Sequence, residues 1–130
     1  MRRRLTIVPI LLAAALVLSL QPARAQQTFF VFFSTWSSEL DPAARDVIKA
    51  AAAYARANPA LRIDVTGTAN TNGSAKANLY LSLLRAQLVS DMLVEAGIDP
   101  ARITRVGEGE VTAIGGEEES RRVGIRFRTR

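Results

Sequence analysis

Residues that could carry catalytic chemistry are few in this sequence. The 130-residue chain contains no histidine and no cysteine, which excludes the usual catalytic triads, zinc sites, disulfides and a lipid-modified N-terminal cysteine. A hydrolase that uses carboxylates alone stays open as an alternative, but no pair of acidic residues lies on an evident rigid scaffold. We therefore predict that the protein is not an enzyme and that it uses neither a cofactor nor a metal.

Binding chemistry is better represented, in a polar loop and the helix predicted to follow it. The loop runs from Thr68 to about Ala75 and is rich in Asn, Thr and Gly, and Arg85 lies on the helix. The planar guanidinium of Arg85 can bind a carboxylate through two parallel hydrogen bonds. The alternative is an ordinary solvated arginine on a helix surface. Asn70 offers an acceptor oxygen to a ligand, although Asn is also a favoured turn residue.

Four segments predict the strands that would position this loop, because their residues either alternate between apolar and polar or are apolar throughout. Ile63 and Val65 alternate with polar residues, as does the segment around Ile125, which is typical of strands with one buried face. Ile103 to Val106 predicts a third, short strand. The continuous apolar run Phe29 to Phe33 is typical of a strand that is covered on both faces.

Two helices are predicted between these strands. Asp41 supplies an N-cap oxygen and Pro42 suits the first helical position, so the first helix extends to about Ala57. The second runs from about Lys76 to Ala96. Gly97 then suits a left-handed closing position from which Ile98 folds back onto the helix. The expected apolar stripe of the second helix consists of Leu79, Leu83, Ala86, Val89 and Leu93.

The element order β-α-β-α-β-β predicts an α/β (α+β) two-layer sandwich with a mixed four-stranded sheet and two main helices. Strand–helix–strand connections of this length favour parallel neighbours with a right-handed crossover. A closing hairpin is expected to add an antiparallel strand, with both helices on one face. The acidic run Glu117 to Glu119 is then expected at the tip of that hairpin.

The N-terminal segment has the pattern of a secretory signal peptide. Three arginines follow Met1, an apolar run spans Leu5 to Leu20, and Ala23-Arg24-Ala25 provides small residues for cleavage. We expect a signal peptide over residues 1–25 and one domain over 26–130, soluble and without a membrane span after cleavage. An uncleaved anchor is the alternative, although the run is short for a spanning helix.

The net charge of the chain does not indicate a nucleic-acid partner. Lys and Arg number 17 and Asp and Glu number 12, but four of the arginines lie within the first 25 residues. The remaining segment is therefore close to neutral, and we expect no nucleic-acid binding.

Motifs spread over about residues 28 to 128 resemble the OmpA-like C-terminal domain family. That family's pattern is Gly-His-Thr-Asp-x-x-Gly, four residues, Asn, two residues and Leu-Ser-x-x-Arg-Ala. The matching residues here are Gly67-Thr68-Ala69-Asn70-Thr71-Asn72-Gly73, Asn78 and Leu81-Ser82-x-x-Arg85-Ala86, with Gly97-Ile98, Gly109-Glu110 and Arg121-Arg122-Val123 beyond them. The resemblance implies a periplasmic module that holds peptidoglycan without a covalent bond.

The resemblance also implies a site. In the family, an Asp and an Arg grip the diaminopimelate of the peptide stem, and the positions that match them here are Asn70 and Arg85. Asn70 lacks the charge of the family's Asp and cannot pair electrostatically with the ligand's ammonium group. Asn78 matches a loop-bracing Asn of the family, and bracing is expected rather than ligand contact.

Two further departures from the family pattern affect the predicted site. Relatives often carry an acid, an aromatic and another acid after the first strand, whereas this chain has Ser34, Thr35 and Trp36. Backbone groups of this loop are expected to line the site. Trp36 can stack on a sugar or peptide, or it can cover the core. Arg122 is expected near the site and Arg121 on the surface.

These observations predict a periplasmic peptidoglycan-binding module whose site is altered at Asn70, with possible association with the outer membrane, the cell wall or other envelope proteins. The alternative is a periplasmic structural or protein-interaction domain that kept the fold and lost peptidoglycan binding.

Overall fold

A computed structural model of the chain describes residues 27–70, 73–109 and 120–130. The expected signal peptide and the run Glu117 to Glu119 lie outside these ranges. Within them the chain forms, in order, β1 (Thr28–Phe32), α1 (Pro42–Ala57), β2 (Arg62–Gly67), α2 (Ala75–Glu95), a 3-10 turn (Pro100–Arg102), β3 (Ile103–Gly107) and β4 (Arg122–Arg128).

The described strands form one mixed sheet in the order β1-β4-β2-β3. Strands β2 and β3 are parallel neighbours joined through α2, as expected. The expected closing hairpin is wrong, because β4 does not pair with β3. It lies between β1 and β2 and runs antiparallel to both. The central position suits its sequence, since Val123, Ile125 and Phe127 are fully buried.

Both helices pack on one face of this sheet, which confirms the two-layer α/β arrangement. The inward residues of the strands share one apolar cluster with Ile48, the small residues of α1, and Val89 and Leu93 of α2. Alanines at positions 51, 52 and 55 allow α1 to approach the strands closely. On the other face of the sheet, the described residues include no helix.

The expectation that β1 is covered on both faces is wrong. Val31 is fully buried, but Phe30 and Phe32 are 40% and 48% exposed. Strand β1 lies at an edge, and its side chains alternate between the helix layer and the open face. A run of phenylalanines carries no periodicity, so the sequence could not show which face is open.

The helix ends follow the expected capping chemistry. The Asp41 carboxylate accepts a hydrogen bond from the Ala44 N–H at 2.7 Å, and Ser74 caps α2 through the Ala77 N–H at 3.1 Å. Gly97 has a φ of 97°, and the Ile98 N–H donates to the Leu93 carbonyl at 3.1 Å. This left-handed ending places Ile98 in the core, as predicted.

The first half of α2 lies almost on the backbone of β2 and β3. Gly67 and Gly107 are paired across these strands, and a Cβ on Gly107 would lie 2.6 Å from Ser82 Oγ. A Cβ on Gly67 would collide with the Ser82 carbonyl group. Glycine at both positions and a small serine above them therefore permit the contact.

This close approach corrects the predicted apolar stripe of α2. Leu79 and Leu83 are 44% and 47% exposed, whereas Ala86, Val89 and Leu93 are buried as expected. In the first half of the helix the buried positions are Leu81 and three polar residues, Asn78, Ser82 and Arg85. The polar half of α2 faces the loops that leave the strands, and it builds the candidate site.

Candidate functional site

The strand directions bring three loops to one edge of the sheet. Strands β1 and β2 run antiparallel to β4, and β3 runs parallel to β2. The carboxyl ends of β1, β2 and β3 therefore lie at the same edge of the sheet. The helix α2 begins there, and β4 begins there at Arg122. In α/β sheets, ligands commonly bind outside the carboxyl ends of the strands.

Arg85 connects two of these loops from beneath. Its Nε donates to the Ser37 carbonyl at 2.9 Å, its Nη1 to the Thr68 carbonyl at 3.0 Å and its Nη2 to the Ser34 carbonyl at 3.0 Å. The side chain has no exposed surface. The alternative of an ordinary solvated helix arginine is therefore wrong.

The electrostatic surroundings of Arg85 are unusual for a buried cation. Burial and the nearby charge of Arg121 lower the pKa of Arg85 to about 10, so the guanidinium is still charged at neutral pH. Its carbon lies 5.2 Å from the ring centre of Phe33. Among the described residues, no carboxylate forms an ion pair with Arg85. The ion pair within the described residues joins Arg128 to Asp64.

Two of the five guanidinium N–H groups of Arg85 are left after the three carbonyl contacts. One belongs to Nη1 and one to Nη2. These are the groups that a planar fork presents to a carboxylate. The arrangement can therefore bind an anion if the loop above it yields.

Ser82 is a site residue whose role the sequence motif alone did not reveal. Its Oγ donates to the Leu79 carbonyl at 2.7 Å and accepts from the Gly109 N–H at 2.9 Å. The Gly109 carbonyl in turn accepts from the Ala69 N–H at 2.9 Å. Ser82 thus connects the loops after β2 and β3. The sequence signal for this contact is the pair of glycines, Gly67 and Gly107, that end those strands.

Asn70 and Asn78 lie in different environments. Asn70 follows the buried residues Thr68 and Ala69, is half-buried, and makes no hydrogen bond within the described ranges. Asn78 is completely buried on the first turn of α2. The burial of Asn78 agrees with its expected role in holding the loop, and Asn70 is the one of the two that borders solvent.

The loop after β1 contains a tight turn over Ser34, Thr35, Trp36 and Ser37. The Ser37 N–H donates to the Ser34 carbonyl at 3.1 Å, and both carbonyls of this pair accept from Arg85. Trp36 has a φ of 58° and is 55% exposed. The alternative in which Trp36 covers the core is therefore wrong, because the turn directs its ring outward.

The two arginines before β4 are placed differently from the prediction. Arg121 is half-buried, its Nε donates to the Phe33 carbonyl at 3.3 Å, and its charge acts on Arg85. Arg121, which was expected on the surface, is thus partly exposed and also directs its guanidinium toward the first loop. The Arg122 guanidinium lies 4.3 Å from the Phe30 ring centre on the open face, and only the Arg122 backbone carbonyl reaches the site, where Thr68 donates to it. Strand alternation explains the difference, because neighbouring residues point to opposite faces.

Residues 27–70, 73–109 and 120–130 contain no group of three acidic side chains that could hold a metal ion. In the same ranges, neither helix has the length and apolar character required to cross a membrane.

Sequence comparison places residues 32–122 in a known family. These residues match the model of the OmpA family, which covers more than half of the chain. The match spans every strand and both helices in part or whole, including the loops and the arginine described above. The matched family indicates no enzymatic activity.

Curated relatives share about a third of the aligned residues. A peptidoglycan-binding protein ArfA of Mycobacterium tuberculosis is 32% identical over 101 residues, which is 73% of this chain and 31% of that protein. Outer membrane protein A of Bordetella avium is 35% identical over 100 residues, 72% of this chain and 52% of that protein. The chain thus spans between about a third and a half of the length of these relatives.

Solved structures show the same fold at lower identity. The peptidoglycan-associated lipoprotein from Burkholderia pseudomallei superimposes with a TM-score of 0.69 at 24% identity, over 77% of this chain and 90% of that one. The OmpA-like domain of FopA1 from Francisella tularensis gives a TM-score of 0.70 at 20% identity, over 78% and 71%. These similarities support the fold assignment.

Proposed function

We propose that this chain, which belongs to the OmpA family, binds peptidoglycan without forming a covalent bond. The observation that carries the proposal is the buried, charged Arg85 at the carboxyl edge of the strands. It lies beside a second cation, Arg121, and has no carboxylate partner among the described residues. Buried charges in proteins are usually paired, so this site favours an anionic ligand.

The anion that fits this site is a carboxylate of the peptide stem. Arg85 holds the first loop through two carbonyls of one tight turn, at Ser34 and Ser37. A carboxylate that displaces one of these carbonyls would form an ion pair with Arg85 in place of a hydrogen bond to a neutral acceptor. The turn would then move outward, carrying Thr35 and the exposed Trp36 toward the ligand.

Diaminopimelate is the residue of the peptide stem that suits both Arg85 and Asn70. It presents an ammonium group and carboxylates close together, so a cation and an acceptor oxygen can hold both. Arg85 supplies the cation, and Asn70 supplies an oxygen at the solvent border of the next loop. Because Asn70 is neutral, its oxygen accepts a hydrogen bond from the ammonium group without forming an ion pair, and we expect weaker binding than an aspartate would give.

The second candidate function is a structural or protein-interaction domain that has lost peptidoglycan binding. It is favoured by the complete burial of Arg85 against three carbonyls. Arg102 makes the same kind of contact at the other edge of the fold, to the carbonyls of Ala55, Asn58 and Leu61. An arginine that donates to three backbone carbonyls can therefore have a purely structural role in this protein.

The expected location completes the proposal. Residues 1–25 act as a signal peptide, and the domain over residues 26–130 is released into the periplasm, where peptidoglycan is accessible. Association with the outer membrane or with envelope proteins would follow from the same location. The names of the relatives, an outer membrane protein and a peptidoglycan-binding protein, support an envelope setting.

Sedimentation with purified peptidoglycan tests the proposal, comparing the processed protein with its Arg85→Ala variant. Loss of a hydrogen bond to a charged group costs about 1.5–3 kcal/mol, so we expect binding to weaken by roughly ten- to a hundredfold. Arg126→Ala is the matched control, because Arg126 is exposed on the open face. Circular dichroism verifies folding, and Arg85→Lys replaces the alanine variant if that one does not fold.

Two results would favour the interaction domain instead. One is the absence of sedimentation by the unmodified protein. The other is equal sedimentation of the unmodified protein and a folded Arg85 variant, since the guanidinium would then serve the loops alone.

A further inference from the structure

A second groove lies between the carboxyl-terminal half of α2 and the edge strand β3. It has a volume of about 470 Å³ and is lined by Ser90, Asp91, Val94, Pro100, Ile103 and Arg105. Ser90 and Val94 follow Arg85 by five and nine residues, roughly 7 and 13 Å along the helix axis. The groove is therefore separate from the loop site at the start of α2.

Three polar side chains of this groove have uncommitted hydrogen-bonding groups. Ser90 is 3% exposed, and its Oγ is the buried side-chain atom without a partner among the described residues. Arg105 is exposed and makes no hydrogen bond or ion pair in those ranges. Asp91 uses Oδ1 to accept from Gln87 Nε2 at 2.8 Å, which leaves Oδ2. A buried hydroxyl without a partner is uncommon and calls for an explanation.

The two opposite charges line the same groove without meeting. Within the described chain, the Asp91 carboxylate and the Arg105 guanidinium are more than 4 Å apart, since they form no ion pair. Val94 and Ile103 supply an apolar wall in the same groove. The groove thus combines an anion, a cation, a hydroxyl and an apolar surface.

We propose that this groove binds an amino-acid-like zwitterion, that is, an ammonium group and a carboxylate on a short apolar stem. Asp91 accepts from the ammonium group. Arg105 donates to the carboxylate, and the Ser90 hydroxyl also donates once a small shift of the groove wall exposes its buried Oγ, which thereby gains a partner. The apolar stem packs against Val94 and Ile103. The volume lies within the range of small-ligand pockets.

The ligand can come from two sources with the same chemistry. It is either a free amino acid or a zwitterionic branch of a longer peptide, because β3 is an edge strand and leaves one side of the groove open. The proposal does not depend on Arg85 or on peptidoglycan binding at the loop site.

Amide chemical-shift titration of the ¹⁵N-labelled, processed protein tests the inference, with leucine as the probe. We expect the amides of Ser90, Val94 and Ile103 to shift with millimolar affinity. N-acetylleucine lacks the ammonium group and leucinamide lacks the carboxylate, so each should bind at least tenfold more weakly. A tripeptide ending in diaminopimelate is titrated in parallel. Tighter binding of leucine would identify a free amino acid as the ligand, and tighter binding of the tripeptide would identify a zwitterionic branch of a longer peptide.

Substitutions assign the contacts. Arg105→Gln and Asp91→Asn should each weaken leucine binding at least tenfold, and Ser90→Ala about threefold. Arg126→Gln should leave binding unchanged, because Arg126 lies on the open face of the sheet. The inference is overturned if neither zwitterion shifts the groove amides, or if the three leucine probes shift them equally. Shifts confined to residues 34–37 and 68–70 would report the loop site and also overturn it.

Discussion

At the scale of single residues, the chemistry of this chain is concentrated in arginines that bind the backbone. Arg85 and Arg102 each donate to three backbone carbonyls. What distinguishes Arg85 is its complete burial and the second cation near it. Among the described residues no carboxylate pairs with Arg85, and Asn70 is the position at which a negative charge can be introduced.

Asn70→Asp should strengthen binding to a diaminopimelate-containing stem peptide. The carboxylate would face the ligand ammonium, and two charges at contact near a protein surface interact by a few kcal/mol before desolvation is deducted. We expect a net gain of about 1 kcal/mol, roughly fivefold in affinity and larger at low salt. Isothermal titration calorimetry of both proteins measures the change.

The same substitution should cost little stability. Asn70 makes no hydrogen bond within the described ranges, so no donor is lost when the amide becomes a carboxylate. Unchanged affinity for the stem peptide at low salt would mean that the ligand ammonium does not lie near Asn70, and the interaction-domain alternative would then be preferred.

At the scale of elements, the site depends on how closely α2 approaches the sheet. The glycines that end β2 and β3 leave room for Ser82, and Ser82 joins the two following loops through the Gly109 N–H. Arg85 lies one turn further along the same face of α2 and binds the loops after β1 and β2. A shift of the helix would therefore disturb both contacts together.

Gly67→Ala should be strongly destabilising. The new Cβ would collide with the backbone carbonyl of Ser82, which cannot rotate away, so α2 must move off the sheet. We expect the free energy of unfolding to fall by about 3 kcal/mol, at the upper end of overpacking effects. Urea denaturation measures it.

Gly124→Ala is the matched control for this prediction. Gly124 lies on the neighbouring strand, and a Cβ there would lie 3.6 Å from the Phe30 ring, which is ordinary contact. Its free energy of unfolding should change by no more than about 0.5–1 kcal/mol. Similar losses at positions 67 and 124 would show that the contact between α2 and β2 is looser than described.

Trp36→Gly separates binding from folding in the first loop. Trp36 adopts a left-handed backbone conformation, which costs a non-glycine residue about 1–2 kcal/mol, and its ring is more exposed than buried. Glycine removes that strain but adds flexibility in the unfolded chain, so the free energy of unfolding should stay within about 1 kcal/mol. Peptidoglycan sedimentation should nevertheless weaken severalfold if the ring stacks on the ligand.

Trp36→Ala is the companion variant, because it removes the ring and retains the strain. Weaker sedimentation by both variants would assign the effect to the ring. Full sedimentation by both would remove Trp36 from the binding site.

At the scale of the whole molecule, residues 27–70, 73–109 and 120–130 form one helix layer on a sheet whose other face carries no helix. The open face carries Phe30, Phe32 and Arg122, and the loop site lies at the strand ends rather than on that face. The family match over residues 32–122 falls within the range expected for the exported domain.

Signal-peptide cleavage should occur between Ala25 and Gln26. Ala23 and Ala25 supply the small residues that the peptidase requires after the apolar run of residues 5–20. The intact mass of the protein recovered from periplasm should correspond to a chain that begins at Gln26. A mass that retains the first 25 residues would support the anchored alternative.

Local sequence signals determined most of the secondary structure. Capping by Asp41, the left-handed Gly97 and the alternation around Ile125 each act over a few residues, so the predicted elements agree closely with the observed ones. The motif spacing was also sufficient to identify the family and to select Arg85. These properties follow from short-range chemistry, which a single sequence records.

Tertiary structure alone decided which residues lie together. The position of β4 between β1 and β2 depends on pairing between segments about 60 to 95 residues apart, and no local pattern specifies it. The same pairing opens one face of β1 and turns Arg121 rather than Arg122 toward Arg85. The exposure of Leu79 and Leu83 follows instead from the close approach of α2 to β2 and β3. Burial of Arg85 by three carbonyls likewise requires two loops to meet above α2, because backbone acceptors have no signature in the sequence.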